Sequence, residues 1–191
     1  MKVIAINGSA RKDGNTASLI QHVFAPLQEA GIETEMIQLA GLQIRGCTAC
    51  MQCFAKKDGR CVLTRDPLND IVEKMVAADG IILGSPTYFA DITAELKALI
   101  DRSGMVTRAN GGQLRRKVGA GVAVARRGGV MHALQSIQNY FLINEMIIPG
   151  SNYWNLAFGR NSGDVDTDTE GVATMTRLGE NMAWLLEKIA R

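Results

Sequence analysis

Charge of one sign is the first thing this sequence lacks. Its 191 residues hold 21 Lys and Arg against 19 Asp and Glu, a formal +2 at pH 7, and neither sign collects into a block. Nothing here supplies the electrostatic footprint of a nucleic-acid or anionic-membrane partner, so small molecules or other proteins are the expected partners. Long apolar runs are also missing. No segment approaches membrane-spanning length, and Met1 leads into the alternating run Val3, Ile4, Ile6 with no basic, apolar and cleavage-site succession, so a soluble, cytoplasmic protein is expected. There is no Pro/Ser-rich linker, low-complexity tract or internal repeat, and the length suits one domain spanning residues 1–191. Histidine is scarce: His22 and His132 stand alone, with no second ligand at metal spacing, and both read as surface or interface residues. Cysteine is absent everywhere except a single stretch, where all four fall between Cys47 and Cys61, a clustering that points to metal or thiol chemistry rather than to disulfides.

Short runs rich in Val and Ile recur at residues 3–6, 34–39, 80–84, 118–125 and 146–149, each compatible with a strand buried on both faces. Helical periods lie between and after them, at 17–30, 67–78, 93–101, 130–144 and 169–189. Strict alternation of strand and helix predicts a parallel sheet covered on both sides. For five strands the natural doubly wound order is 2-1-3-4-5, which puts ligands at the carboxyl ends of strands one, three and four. Only 42–61 and 102–117 read as excursions from this pattern.

The loop after the first strand, Asn7-Gly8-Ser9-Ala10-Arg11-Lys12-Asp13-Gly14-Asn15-Thr16, holds two glycines, two hydroxyls and two cations. Backbone N–H groups at the following helix start can bind a phosphate, with Ser9 and Thr16 adding hydroxyl donors and Arg11 a planar charged one. The loop has neither the Lys-Ser/Thr ending of a triphosphatase loop nor the three-glycine spacing of a dinucleotide fingerprint, so a monophosphate fits better. The plainer alternative is a strand-to-helix turn in which Asn15 or Thr16 caps the helix.

Gly8-Ser9-x-Arg11-x-x-Gly14-Asn15-Thr16 resembles the phosphate loop of the NADPH-dependent FMN reductase branch of flavodoxin-like proteins. A second match is Gly84-Ser85-Pro86-Thr87-Tyr88-Phe89-Ala90, followed by Thr93-Ala94-x-Leu96-Lys97-x-Leu99-Ile100-Asp101-Arg102, which is similar to the family's flavin loop and the helix behind it. A third is Ala125-Arg126-Arg127-Gly128-Gly129, and Leu178-Gly179-x-Asn181-Met182-Ala183 near the end also looks familial. The resemblance implies a flavodoxin-like α/β/α sandwich, a three-layer α/β fold with a five-stranded parallel sheet. It implies FMN as cofactor, with Pro86, Thr87, Tyr88, Phe89 and Ala90 along the isoalloxazine edge and ribityl chain. It also places Arg126, Gly128 and Gly129 near the ring, where an arginine could stabilise negative charge on reduced flavin or be a solvated loop cation. A flat apolar surface and backbone donors at a strand end are what a flavin needs.

Gly46-Cys47-x-x-Cys50-x-x-Cys53-x7-Cys61 has the C-x2-C-x2-C run that wraps corners of a cubane cluster. The compact spacing resembles that of iron–sulfur flavoproteins, where such a segment holds a [4Fe-4S] cluster near FMN. Lys56, Lys57 and Arg60 would favour thiolates. Redox-active or idle thiols, and zinc, stay open as alternatives.

Asp164-x-Asp166-x-Asp168 opens like a calcium loop but lacks the glycine and terminal glutamate, so helix capping around Thr167 or Asp168 is expected instead. Tyr153, Trp154 and Phe158, read as lying beyond the last strand, suggest a subunit interface in a homodimer or homotetramer. The expected activity is FMN-dependent NAD(P)H oxidation, with electrons passed to a quinone-like, flavin or protein acceptor. A non-enzymatic flavodoxin-type carrier is the rival, and a zinc-stabilised binding module is a third reading.

Overall fold

The computed structural model describes residues 1–189. Its sheet has five parallel strands in the order β2-β1-β3-β4-β5, the doubly wound order expected from the alternation of elements. The strands are β1 (Lys2–Asn7), β2 (Glu33–Gln38), β3 (Gly80–Pro86), β4 (Val118–Ala125) and β5 (Leu156–Phe158). Around them run α1 (Asn15–Glu29), α2 (Gln52–Lys56), α3 (Leu68–Ala77), α4 (Ala94–Ala109), α5 (Val130–Ile143) and α6 (Thr169–Ile189).

The sheet divides the core in two. Ile4, Ile6, Ile81 and Leu83 pack under α3, α4 and α5 with Ile71, Leu99 and Phe141, while Val3, Ala5, Ile82 and Val122 pack under α1 and α6 with Leu19, Val23, Met175 and Leu178. Strand side chains alternate in direction, so both faces of the central strands must be apolar, and β3 and β4 read as continuous buried runs for that reason. On the α1/α6 side the helices cross so tightly that a Cβ at Gly179 would lie 2.4 Å from Pro26 Cγ and from the Val23 carbonyl oxygen. Only glycine fits there. Among the described residues no helix is long and apolar enough to cross a membrane.

Four expectations need correcting. The fifth strand is not 146–149. Ile147 makes one isolated bridge, to Val118; Pro149, which has no N–H to donate, and Gly150 follow; and Leu156–Phe158 pairs with Ala123–Ala125 instead. Tyr153 and Trp154 therefore precede the last strand, and Phe158 ends it. The second strand is an edge strand, half-buried along most of its length rather than covered on both faces. Finally, α4 continues through 102–109, which had read as excursion, because Arg102, Ser103 and Thr107 are polar residues on its buried face and interrupt the hydropathy period. The other excursion contains the one-and-a-half-turn helix α2, with no buried residue of its own.

Candidate functional site

The registers Asn7↔Gly84, Pro86↔Val124 and Ala125↔Phe158 bring the carboxyl ends of β1, β3, β4 and β5 to one edge. Four loops meet there around a cleft of about 160 Å³, lined by Ser9, Arg11, Gly14, Asn15, Thr16, Pro86, Thr87, Tyr88, Val124, Ala125, Arg126, Gly159 and Arg160. Nine of the thirteen anticipated loop residues therefore converge. Ala125 opens the third matching segment without having been assigned to the site, and Val124, Gly159 and Arg160 were not anticipated. The last two follow the true β5, so misplacing that strand hid them.

The loop at 9–16 is built by side chains beneath it. Asn7 Oδ1 accepts from the Ser9 N–H at 3.0 Å, Asn7 Nδ2 donates to Gln38 Oε1 at 2.7 Å, and Gln38 Nε2 donates to the Ser9 carbonyl at 2.7 Å. Ser9 Oγ accepts from the Arg11 N–H at 3.1 Å, which leaves its hydrogen free to donate. The N-cap of α1 is Gly14, with no side-chain cap, so the first-turn N–H groups stay open at the positive end of the helix. Neither Asn15 nor Thr16 caps it, contrary to the capping role expected of one of them. Asn15 Oδ1 instead accepts from the Gly163 N–H, tying the loop after β5 to this one. The result is a socket of N–H and hydroxyl donors with Arg11 and Arg160 at its rim, suited to an anion.

After β3 the chain makes a tight turn. Tyr88 N–H donates to the Asp91 carbonyl at 2.8 Å and Asp91 N–H returns the bond to Tyr88 at 3.1 Å. The two central residues, Phe89 (φ 48°) and Ala90 (φ 65°), are left-handed, as in a type I′ turn, a costly conformation for non-glycine residues. Phe89 stands wholly in solvent, at 107% relative exposure, and lies outside the cleft with Ala90. Thr87 lines the cleft, and its Oγ1 is buried without a hydrogen-bond partner. Gly129, in the left-handed region at φ 82°, caps α5 and packs against Ala90 and Thr87, so it holds the turn rather than lining the cleft. Gly128 has open space around it.

The four cysteines lie together around one small enclosed space, walled by Met105 and Val106 of α4 and by Arg102. Arg102, Met105 and Val106 fall at i, i+3 and i+4 on one face of the helix. Left-handed Ala49 and Met51 curl the loop about its own sulfurs, and Ala49 N–H points to Cys47 Sγ at 3.5 Å. The backbone of Gln52 and the Thr48 hydroxyl hold the exposed Cys50 thiol below its ordinary pKa, whereas burial pushes the Cys53 thiol up. Among the described residues no group of three His, Cys, Asp or Glu side chains is assembled around a single ion. A cubane takes one thiolate at each corner and spreads its ligands wider than one ion does.

The remaining candidates have structural partners. His22 Nε2 lies 3.0 Å from Asp166 Oδ1. Asp168 Oδ1 accepts from the Gly171 N–H, capping α6 as expected, and Asp164 Oδ2 accepts from the N–H groups of Arg160 and Asn161, so the three aspartates serve separate partners. A larger groove of about 570 Å³ runs between α4 and α5 but lies away from the strand ends and their donors.

A 2-1-3-4-5 parallel sheet with an anion socket after β1 and an open cleft at the switch point defines a flavodoxin-like protein. The chain belongs to the NADPH-dependent FMN reductase family, whose model matches residues 1–161. It is 42% identical to an iron-sulfur flavoprotein of Methanocaldococcus jannaschii over the whole of both chains, and 35% identical to an iron-sulfur flavoprotein of Methanosarcina thermophila, covering 100% of this chain and 98% of the other. In fold it is similar to the Trp repressor binding protein from Bacillus subtilis (TM-score 0.66, 21% identity, 92% and 96% of the two chains). It is likewise similar to the NAD(P)H:quinone oxidoreductase from Methanothermobacter marburgensis (TM-score 0.70, 15% identity, 95% and 96%). Family and relatives together support a flavin-dependent oxidoreductase whose flavin is FMN.

Proposed function

We propose that the protein is an FMN-dependent NAD(P)H oxidoreductase that passes electrons through a [4Fe-4S] cluster to a quinone-like, flavin or protein acceptor. The observation that carries the reading is the convergence of an uncapped helix start and the loops after β3, β4 and β5 on one cleft at the strand ends. Bound there, FMN supplies hydride acceptance and one- or two-electron transfer.

The residues divide the work. Gly14, Asn15 and Thr16 offer first-turn N–H groups to the phosphate, Ser9 and Thr16 offer hydroxyls, and Arg11 and Arg160 offset its charge. Pro86, Thr87 and Tyr88 form the wall for the ribityl chain and ring. Arg126, which lines the cleft after β4, would stabilise negative charge on reduced flavin. Phe89, fully exposed beside the cleft on a strained turn, is free to cover a ring lying there, while Ala90 and Gly129 fix the turn.

Cys47, Cys50, Cys53 and Cys61 fit a cluster because they share one walled space, with backbone N–H groups near the sulfurs of Cys47 and Cys50. Such a site makes onward transfer one electron at a time. No side chain of the cleft is a dedicated acid or base, so the protein's part is binding and electrostatics.

Anaerobic absorption with FMN, iron and sulfide assays tests the cofactors, and NAD(P)H oxidation with quinone and ferric acceptors tests the activity. FMN-loaded protein with no NAD(P)H turnover would favour the flavodoxin-type carrier instead.

A further inference from the structure

Among the described residues, Arg102 is the one charged side chain in the buried class, at 1% exposure. Its guanidinium reaches only into the cysteine segment and its flanks. Nη1 donates to the Arg45 carbonyl at 3.0 Å and to Asp66 Oδ2 at 2.5 Å; Nη2 donates to the Leu63 carbonyl at 2.8 Å and to Cys61 Sγ at 3.4 Å. One group from α4 thus clamps the chain on both sides of the cysteines. Cys61 is held a second time, since Asn69 Oδ1 accepts its N–H at 2.7 Å and Asn69 Nδ2 donates to its carbonyl at 2.9 Å.

Burying a cation costs several kcal/mol unless strong acceptors meet it, and removing one partner of such a pair is worse than never having it. A neutral thiol is a weak acceptor. A sulfur bearing thiolate charge in an iron–sulfur centre is a strong one, and donors to such sulfurs raise reduction potentials by stabilising the extra negative charge of the reduced state. The carboxylate of Asp66, at the far prong, acts in the opposite sense. The same helix is capped by Thr93, whose hydroxyl donates to the Gly8 carbonyl of the first loop and whose N–H donates to Ser85 Oγ. Nine positions later, about 13 Å along the axis at ~1.5 Å per residue, it delivers Arg102 to the cysteines.

We propose that Arg102 is the positioning residue of the cysteine site, and that the opposed charges of Arg102 and Asp66 set the potential of the group held there through the Nη2–Cys61 Sγ contact. This rests on the reading that the four cysteines hold a [4Fe-4S] cluster. It does not depend on the identity of donor or acceptor.

The test uses the full chain, reconstituted anaerobically, as wild type, R102M, R102K and D66N. Iron and sulfide content is measured first, then the cluster midpoint by redox titration followed by electron paramagnetic resonance, with the FMN midpoint as internal control. R102M is expected to lower the cluster potential, cutting the reduced-to-oxidised ratio at the wild-type midpoint about tenfold, which is about 59 mV for one electron. D66N is expected to raise it, and R102K, which keeps the charge without the fork, to fall between wild type and R102M. The FMN midpoint should stay in place. Opposite signs separate tuning from mere loosening, which would move both variants the same way with loss of iron. Should R102M fail to load iron, D66N decides: an upward shift supports the proposal, and no shift or a downward one overturns it. Full iron loading with unmoved potentials overturns it as well, while an iron-free wild type overturns the cluster reading beneath it.

Discussion

Asn7 and Gln38, the last residues of neighbouring strands and partners in register, lock their side-chain amides together at 2.7 Å and between them hold both the N–H and the carbonyl of Ser9. The loop at 9–16 is thereby shaped before any ligand arrives, which would lower the ordering cost of binding a phosphate there.

Gln38→Leu removes two of these bonds and leaves the Ser9 carbonyl and the Asn7 amide short of partners. At about 1 kcal/mol per bond, FMN affinity is expected to fall roughly tenfold or more. Flavin fluorescence titration of apoprotein measures this, and an unchanged dissociation constant would show that the loop holds its shape without the clamp.

Replacing Arg11 and Thr16 together with Ala strips a charged donor and a hydroxyl from the socket. FMN retention on gel filtration is expected to drop much more than the denaturation midpoint of the apoprotein, because Arg11 is exposed and Thr16, though buried, gives up only a methyl and a hydroxyl. Undiminished retention would remove the phosphate from this loop.

Gly129→Ala puts a Cβ 2.8 Å from Ala90 Cα, at a φ of 82° that an L side chain rarely adopts. A loss of about 1–3 kcal/mol in urea unfolding is expected, with weakened FMN binding as the 88–91 turn shifts. Gly128→Ala, with open space around it, is the control and should stay within about 0.5 kcal/mol of wild type.

Acid should loosen the cysteine segment through Asp66. Burial pushes the Asp66 carboxyl up, but the Arg102 guanidinium and the N–H groups of Arg45 and Leu68 outweigh it and hold the folded value below the usual 3.8. A depressed folded value means the contribution is complete above the unfolded pKa and lost as pH falls through the folded one. Hydrogen exchange of residues 42–66, compared between pH 6 and pH 3, should show protection decline below about pH 4 in wild type and be flatter with pH in D66N.

Tyr153 and Trp154 remain half exposed with their rings edge-on at 4.8 Å, and both are candidates for burial in a homo-oligomer. Sedimentation is expected to show at least a dimer at micromolar concentration, and Trp154→Ala to shift the distribution toward monomer. A wild-type monomer that retains FMN and oxidises NAD(P)H would refute this.

The sequence alone determined the alternation of elements, and with it the sheet order, because buried parallel strands must be apolar on both faces and helices must cover them. It also determined the three loops that meet at the site and the clustering of the cysteines, since both are local patterns. Tertiary structure decided the rest. The three-residue β5 carries no periodic signal and exists only because Ala123–Ala125 offers it a ladder, so Gly159 and Arg160 could not be placed beforehand. The exclusion of Phe89 from the cleft wall depends on a left-handed turn that its residue types argue against. Arg102 opened the stretch that reads as an excursion; 57 residues separate it from Arg45 and 41 from Cys61, and only the packing of α4 against the cysteine segment turns a surface residue type into a buried clamp. Local patterns follow from the chain's own periodicity, whereas a buried charge is tolerated only where distant groups converge to satisfy it.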